Sequence, residues 1–231
     1  GTIFISSDKF GVDPNNALHA FAHADGGYHL MGCMLSAASC NKWFCEEILK
    51  ADDFGAEQAP ITEEKLGENH VYFLPYLMGE RSPINDTNAR GTFMGMTMDT
   101  SRADMMQAVL EGVAFAIRDS FEVARSLGLD IKTSKICGGG SKSPLWRTMF
   151  ANILGIPLEI LKVEQGPGYG GAMLAMVGCG EYESIQDVTK AFVEVETVVE
   201  PSPELVSKYE AKYQQWKQIY PACKELFINI K

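Results

Sequence analysis

The chain has no Cys-x-x-Cys pair, no basic stripe and no long unbroken apolar run. Each absence closes a class of function. Without cysteines at metal or redox spacing, neither a zinc ribbon nor a thioredoxin-like centre is available. The 20 lysines and arginines are outnumbered by 30 acidic residues, for a formal net charge of −10. A surface that neutralises nucleic-acid phosphates is therefore not expected, and an acidic skin does not suit an anionic membrane. No stretch approaches the ~20 apolar residues of a spanning helix. Residues 1–7 are short and β-like and lack the charged n-region of a signal peptide. Histidine is scarce too. Of the four, His19 and His23 are four apart, a spacing that shares a helix face and could bind metal. Residues 17–23 alternate as well as they spiral, and no carboxylate lies between the two. They are read as strand histidines, and no metal site is expected.

What remains is an ordinary globular composition. The 231 residues are 46% hydrophobic and 22% charged, enough chain to bury a full core. Cys33, Cys40, Cys45, Cys137, Cys179 and Cys223 fall inside predicted helices or beside strands. That placement fits free, mostly buried thiols in a reducing cytoplasm. No repeat, low-complexity tract or interior linker is evident, and 1–231 reads as one compact α/β domain.

The most informative stretch is 135–155. A β-type run over 134–137 feeds into Gly138-Gly139-Gly140 and Ser141, and an amphipathic helix follows over about 143–154. Glycines let the backbone turn sharply and let a flat or anionic ligand press against it. The helix start adds unpaired N–H groups and partial positive charge. The turn is neither a Walker loop nor the spaced dinucleotide fingerprint. Read by itself, it is either a nucleotide seat or a turn that lets strand and helix pack.

Around it, strands are expected at 2–7 and 17–23, with Asp25-Gly26-Gly27 as a hairpin turn. Tyr28 is read as entering a long helical stretch that reaches Leu49. A loop with a short helix covers 51–69, and a strand 71–77. The polar loop 79–91 carries Arg81 and Arg90, which either line a cleft and meet phosphate or anchor the loop. Glu80 is read as an ion pair or loop brace beside Arg81. After a strand at 92–97, Ser101 with Asp104 forms a capping-box-like start to a helix over 102–127, stopped by Gly128. Within it Glu111 is read as a buried structural hydrogen bond. Trp146 is read as packing. A strand at 158–163 precedes glycines at 166–171, which follow Gln165 and open a small-residue helix over 172–177. A helix at 183–192, a β-like run at 193–199 and one terminal helix over 204–227 complete the reading.

Several segments also carry a resemblance. They are Leu30-Met31-Gly32-Cys33-Met34-Leu35-Ser36-Ala37-Ala38-Ser39-Cys40, then Phe73-Leu74-Pro75-Tyr76-Leu77-Met78-Gly79-Glu80-Arg81-Ser82-Pro83. Arg90-Gly91 follows, through Gly95-Met96-Thr97 into Ala108-Val109-Leu110-Glu111-Gly112. The Gly138–Ser141 turn and Gly166-Pro167-Gly168 into Gly171-Ala172 complete the set. In this order, over nearly the whole chain, they resemble the C-terminal domain of the FGGY carbohydrate kinases, most closely the xylulokinase branch.

The resemblance implies an actin-like, ribonuclease-H-like α/β fold, with a mixed sheet and flanking helices. In that family two domains flank a cleft. ATP lies mostly against the C-terminal domain, and the sugar binds largely to the N-terminal one. A carboxylate between them takes the hydroxyl proton, and Mg²⁺ bridges the phosphates. By motif, Gly139, Gly140 and Ser141 fall where the family meets adenosine. Pro144 falls near the adenine, where it offers shape or its carbonyl but no donor. Asp99 falls near the phosphates, which a carboxylate repels unless it points away or acts through water or metal. Ala103, at a related polar position, has no side-chain hydrogen bond to give.

The family's catalytic aspartate and a Gly-Thr turn are expected upstream of the first strand. The preferred register sets Gly1 just beyond that turn, and a shifted one makes Gly1-Thr2 the turn itself. No catalytic residue is therefore assigned within the chain, and the N-terminal sugar domain is expected to be absent. The expectation is the nucleotide half of an ATP- and Mg²⁺-dependent kinase phosphorylating a ketopentose, D-xylulose to D-xylulose 5-phosphate, inactive in isolation. The alternative is an actin-like ATP-binding regulatory module. On the kinase reading the partners are ATP or ADP and a ketopentose bound mainly by the absent N-terminal domain, with homodimerisation left open.

Overall fold

The computed structural model describes residues 1–163 and 166–230. The chain opens with β1 (Thr2–Ser7), β2 (His19–Ala22) and β3 (Tyr28–Cys33), an antiparallel sheet in the order β1-β3-β2. Between β1 and β2 the buried Asp13 carboxylate accepts from Ala17 N at 2.7 Å and Leu18 N at 3.0 Å, which fixes the approach to β2. Tyr28 does not enter a helix. It begins the central strand, because β1 and β2 supply pairing on both edges and Leu30 and Gly32 alternate into the core. The helix starts later, as α1 (Ala38–Trp43), and continues through a π-helical turn at Phe44–Leu49 that ends on Lys50 at φ 54°.

Next comes α2 (Phe54–Gln58), capped by the Asp53 side chain on Ala56 N at 3.0 Å. An antiparallel pair, β4 (Tyr72–Leu74) and β5 (Thr92–Met94), follows. The centre of the molecule is α3 (Arg102–Ser126), with the predicted capping box at Ser101 and Asp104. Its residues from Met106 to Ala116 are buried without a break. Gly112 is there because β4 lies against it: a Cβ would come within 2.3 Å of Phe73 O.

Then follow β6 (Ser134–Ile136), α4 (Pro144–Leu154), β7 (Leu158–Leu161), α5 (Pro167–Gly178), α6 (Ile185–Phe192) and β8 (Val195–Val199). The strands form a mixed sheet in the order β6-β7-β8, parallel in the first pair and antiparallel in the second. The glycines at 167–171 lie inside α5 rather than before it, and Gln165 lies outside the described residues. The terminal helix is two, α7 (Pro203–Trp216) and α8 (Ile219–Asn229). Pro221 explains the break: it has no N–H to give Lys217 O, and its ring would crowd that carbonyl in a continuous helix.

From α7, Tyr209, Tyr213 and Trp216 are buried around Phe115 of α3. Between the two helices Lys212 Nζ meets Glu111 Oε2 at 2.7 Å, with both side chains buried. Gln107 and Tyr209 donate to Glu111 Oε1 at 2.7 and 3.2 Å. Glu111 is thus the structural group expected, with an ion pair added. Of the cysteines, Cys40, Cys45 and Cys223 are buried and Cys33 is half-buried, while Cys137 and Cys179 are exposed, so burial is less general than expected. Burial pushes the Cys40 thiol up to about 12 and the Cys45 thiol to about 11, which leaves both inert at neutral pH. Among the described residues, no helix is long and apolar enough to cross a membrane.

Candidate nucleotide-binding surface

Strand β6 leaves the sheet at Ile136, and the chain turns at Gly138 with φ 89° and ψ 178°. That backbone conformation needs glycine. Ser141 then closes a 3₁₀ turn over Gly139–Lys142. Its N–H and its hydroxyl both donate to Gly138 O, at 3.1 and 2.7 Å. Arg147 Nε donates to Ser141 O from the following helix. The three glycines divide by role. A Cβ on Gly138 or Gly139 would meet nothing within 4 Å, whereas one on Gly140 would come within 2.9 Å of the Trp146 ring. The turn thus serves packing at one position and leaves backbone uncovered at the others. Gly140 makes room for packing, and Gly138 and Gly139 present bare backbone to open space. Ser141 is buried and its hydroxyl is spent on the turn, so it shapes the surface from beneath.

Helix α4 starts immediately after, with Pro144 exposed in its first turn. Ser143 caps it, accepting from Trp146 N at 3.2 Å and donating to Gln58 Oε1 at 2.6 Å. Trp146 is buried and its indole N–H donates to Leu110 O at 2.9 Å, so its ring belongs to the core. Asp99 is exposed in the 97–100 turn ahead of α3, with its N–H on Thr97 Oγ1 at 3.3 Å. Three residues on, Arg102 grips Glu57 through two bonds of 2.7 and 2.6 Å, which hold the Glu57 carboxyl below its ordinary range. Helix α2 thus joins the start of α3, beside Asp99, to the start of α4, beside the glycine turn. Sequence reasoning missed this brace, because no local pattern links Glu57 or Gln58 to partners 45 and 85 residues away.

The two loop arginines keep to their own region. Arg90 donates to Thr87 O at 3.0 Å and Ala89 O at 2.8 Å, the loop-anchoring alternative. Arg81 donates from Nε to His19 Nε2 at 3.1 Å, against the first sheet. Glu80 is a brace, with no ion pair to Arg81. Its Oε1 accepts from Leu35 N at 3.0 Å and Arg81 N at 2.7 Å, while Oε2 is buried without a partner. Burial pushes its carboxyl up to about 7. Two clefts are present elsewhere. One, of about 140 Å³, lies between the β1-β3 end and Leu127 and Leu129. The other, of about 460 Å³, lies between residues 67–72 and α7. The glycine turn lines neither, and Gly138, Gly139 and Pro144 are exposed at the candidate seat. Among the described residues, no group of three or more His, Cys, Asp or Glu is placed to hold a metal.

The sequence profile of the FGGY family of carbohydrate kinases, C-terminal domain, matches residues 2–179. The chain belongs to the FGGY family. The xylulose kinase of Staphylococcus epidermidis is 34% identical over 214 residues, covering 92% of this chain and 43% of that protein. That of Lactococcus lactis is 36% identical over 218 residues, covering 93% and 44%. A crystal structure of a xyloylose kinase from Brucella ovis matches with a TM-score of 0.89 at 34% identity, covering 97% of this chain and 46% of that one. The chain therefore spans a little under half the length of these FGGY relatives. Its α/β architecture, with a mixed sheet and flanking helices, is the actin-like ATPase fold of these sugar kinases.

Proposed function

We propose that this chain is the nucleotide-side half of an ATP-dependent ketopentose kinase that converts D-xylulose to D-xylulose 5-phosphate in the cytoplasm. One observation carries the reading. The glycine turn that the sequence singled out is open at Gly138 and Gly139, in a chain whose family phosphorylates sugars and whose relatives are named xylulose kinases. The turn fits an adenosine, because a planar group can approach bare backbone where any side chain would stand in its way. Pro144 adds an apolar edge to that surface. Asp99 lies on the far side of the α2 brace, where its charge disfavours direct phosphate contact.

When bound, ATP supplies the transferable phosphoryl group. No three-ligand metal cluster is available among the described residues, so Mg²⁺ would arrive on the nucleotide phosphates. The sugar site and the proton-accepting carboxylate are assigned to the part of the whole protein that the longer relatives possess and this chain does not span.

The test is calorimetry on the chain with ATP and ADP. Saturable, weak binding is expected, together with no phosphorylation of D-xylulose. Gly139→Val should weaken binding at least about tenfold, since a branched side chain would occupy the open face, while leaving the melting temperature unchanged. Absence of nucleotide affinity, or full affinity in Gly139→Val, would count against the assignment.

A further inference from the structure

The outer face of the β1-β3-β2 sheet carries histidines that the proposed function does not use. Side chains alternate across a strand, so Ile3, Ile5 and Leu30 turn to the core while Phe4, Phe21 and His29 face out. Register places Phe21 opposite His29. The turn after β2 then folds back, with His23 N donating to Gly27 O at 2.8 Å. As a result His23 Nδ1 lies 3.1 Å from His29 Nδ1, with the two ring planes 81° apart. Phe21 stacks on His29 at 5.4 Å and 19°, and Phe4 leans on it at 5.2 Å. The His29 ring therefore packs against two aromatic neighbours, with one nitrogen aimed at a second imidazole.

We propose that His23 and His29 form an open, two-imidazole site for a tetragonal transition-metal ion, Cu(II) or Ni(II), whose other positions are filled by water. The spacing decides the geometry. With metal–nitrogen bonds of about 2.1 Å, a 3.1 Å separation closes an N–metal–N angle of about 95°. That angle suits square-planar or tetragonal ions better than tetrahedral zinc. Imidazole is a matched ligand for copper and nickel, and the stability order of the divalent ions favours copper. Each ring has to turn from the N···N line onto the ion, which the soft χ2 torsion of histidine allows. Binding moves the shared proton of the free pair to an Nε2. With two protein ligands the site is exchangeable rather than structural.

Copper(II) titration followed by calorimetry and electron paramagnetic resonance tests this. One saturating Cu(II) per chain is expected, with hyperfine coupling to two imidazole nitrogens and tighter binding than Zn(II). His23→Gln and His29→Gln should each weaken Cu(II) at least about tenfold, because losing a ligand costs no less than losing its supporting partner. His19→Gln, whose nitrogen is engaged by Arg81, should leave it unchanged. Circular dichroism melts of the same variants check the fold. No saturable binding, a spectrum with one nitrogen, or unchanged affinity in the His23→Gln/His29→Gln double variant would overturn the site.

Discussion

Glu111 and Lys212 are 101 residues apart in sequence and 2.7 Å apart in the fold. Lys212 also donates to Asn69 O at 2.7 Å, and Tyr209 and Gln107 complete the shell around Glu111. Both charges are out of water, so the pair's net stabilisation is small, but breaking it is costly. Lys212→Met would leave a buried carboxylate without its cation and should lower unfolding free energy by about 3–5 kcal/mol in urea melts. The double variant Glu111→Gln/Lys212→Met removes both charges and should recover part of that loss. Equal or additive losses would mean that packing, and not charge, dominates at this position. Sequence could show that Glu111 sits among apolar residues of a helix. It could not show the partner, because an ion pair between α3 and α7 leaves no mark on either helix's periodicity.

At the scale of elements, local chemistry was read well and pairing was not. The Ser101 capping box, the Gly128 stop and the β6–glycine–α4 unit rest on contacts within a few residues, and all were legible. The strand β3 was not. His29, Leu30 and Met31 suit either period, and only β1 and β2 on its two edges decide for a strand. The terminal break was legible in principle, since Pro221 is in plain view, but a continuing apolar pattern hid it. The open backbone at Gly138 and the filled space at Gly140 depend on where Trp146 lies, which no glycine count gives.

The 79–91 loop shows what such tertiary contact does to a titratable group. Glu80 ties the loop to Leu35 from a site that is 2% exposed, and its folded carboxyl titrates at about 7 against an ordinary 4.5. A raised folded value means that the native state binds the proton more tightly than the unfolded chain. Its contribution is therefore fully present below about 4.5 and is lost as pH rises through 7. The size is on the order of 3 kcal/mol. Asp119, raised to about 6 by burial beneath Tyr213, acts in the same direction. Unfolding free energy should fall between pH 5 and 8. Glu80→Gln, which keeps an acceptor for the two N–H groups, should flatten that slope. Parallel slopes for both proteins would rule Glu80 out as the titrating group.

Across the whole molecule, the two three-stranded sheets each end on a strand that pairs on one side only among the described residues. β1 pairs with β3, and β6 with β7. The bonding phase of β1 follows from the residue that precedes it. Gly1 and Met34 exchange both backbone bonds, at 3.0 and 2.8 Å, so bonded pairs alternate from there. Ile3, Ile5 and Ser7 bond to β3, while Thr2, Phe4 and Ser6 aim their N–H and C=O groups away from it. Phe4, 59% exposed, stands beside that open edge. Such an edge is a template for another strand. Hydrogen exchange on the isolated chain should show an alternation along β1, with fast amides at Thr2, Phe4 and Ser6 and slow ones at Ile3, Ile5 and Ser7. Uniform protection would mean that the edge is already covered, by self-association at the concentration used. The same measurement on a longer polypeptide that contains this chain reads the complementary question. Slow exchange at those three amides alone, with the odd-numbered ones unchanged, would place a partner strand directly against β1.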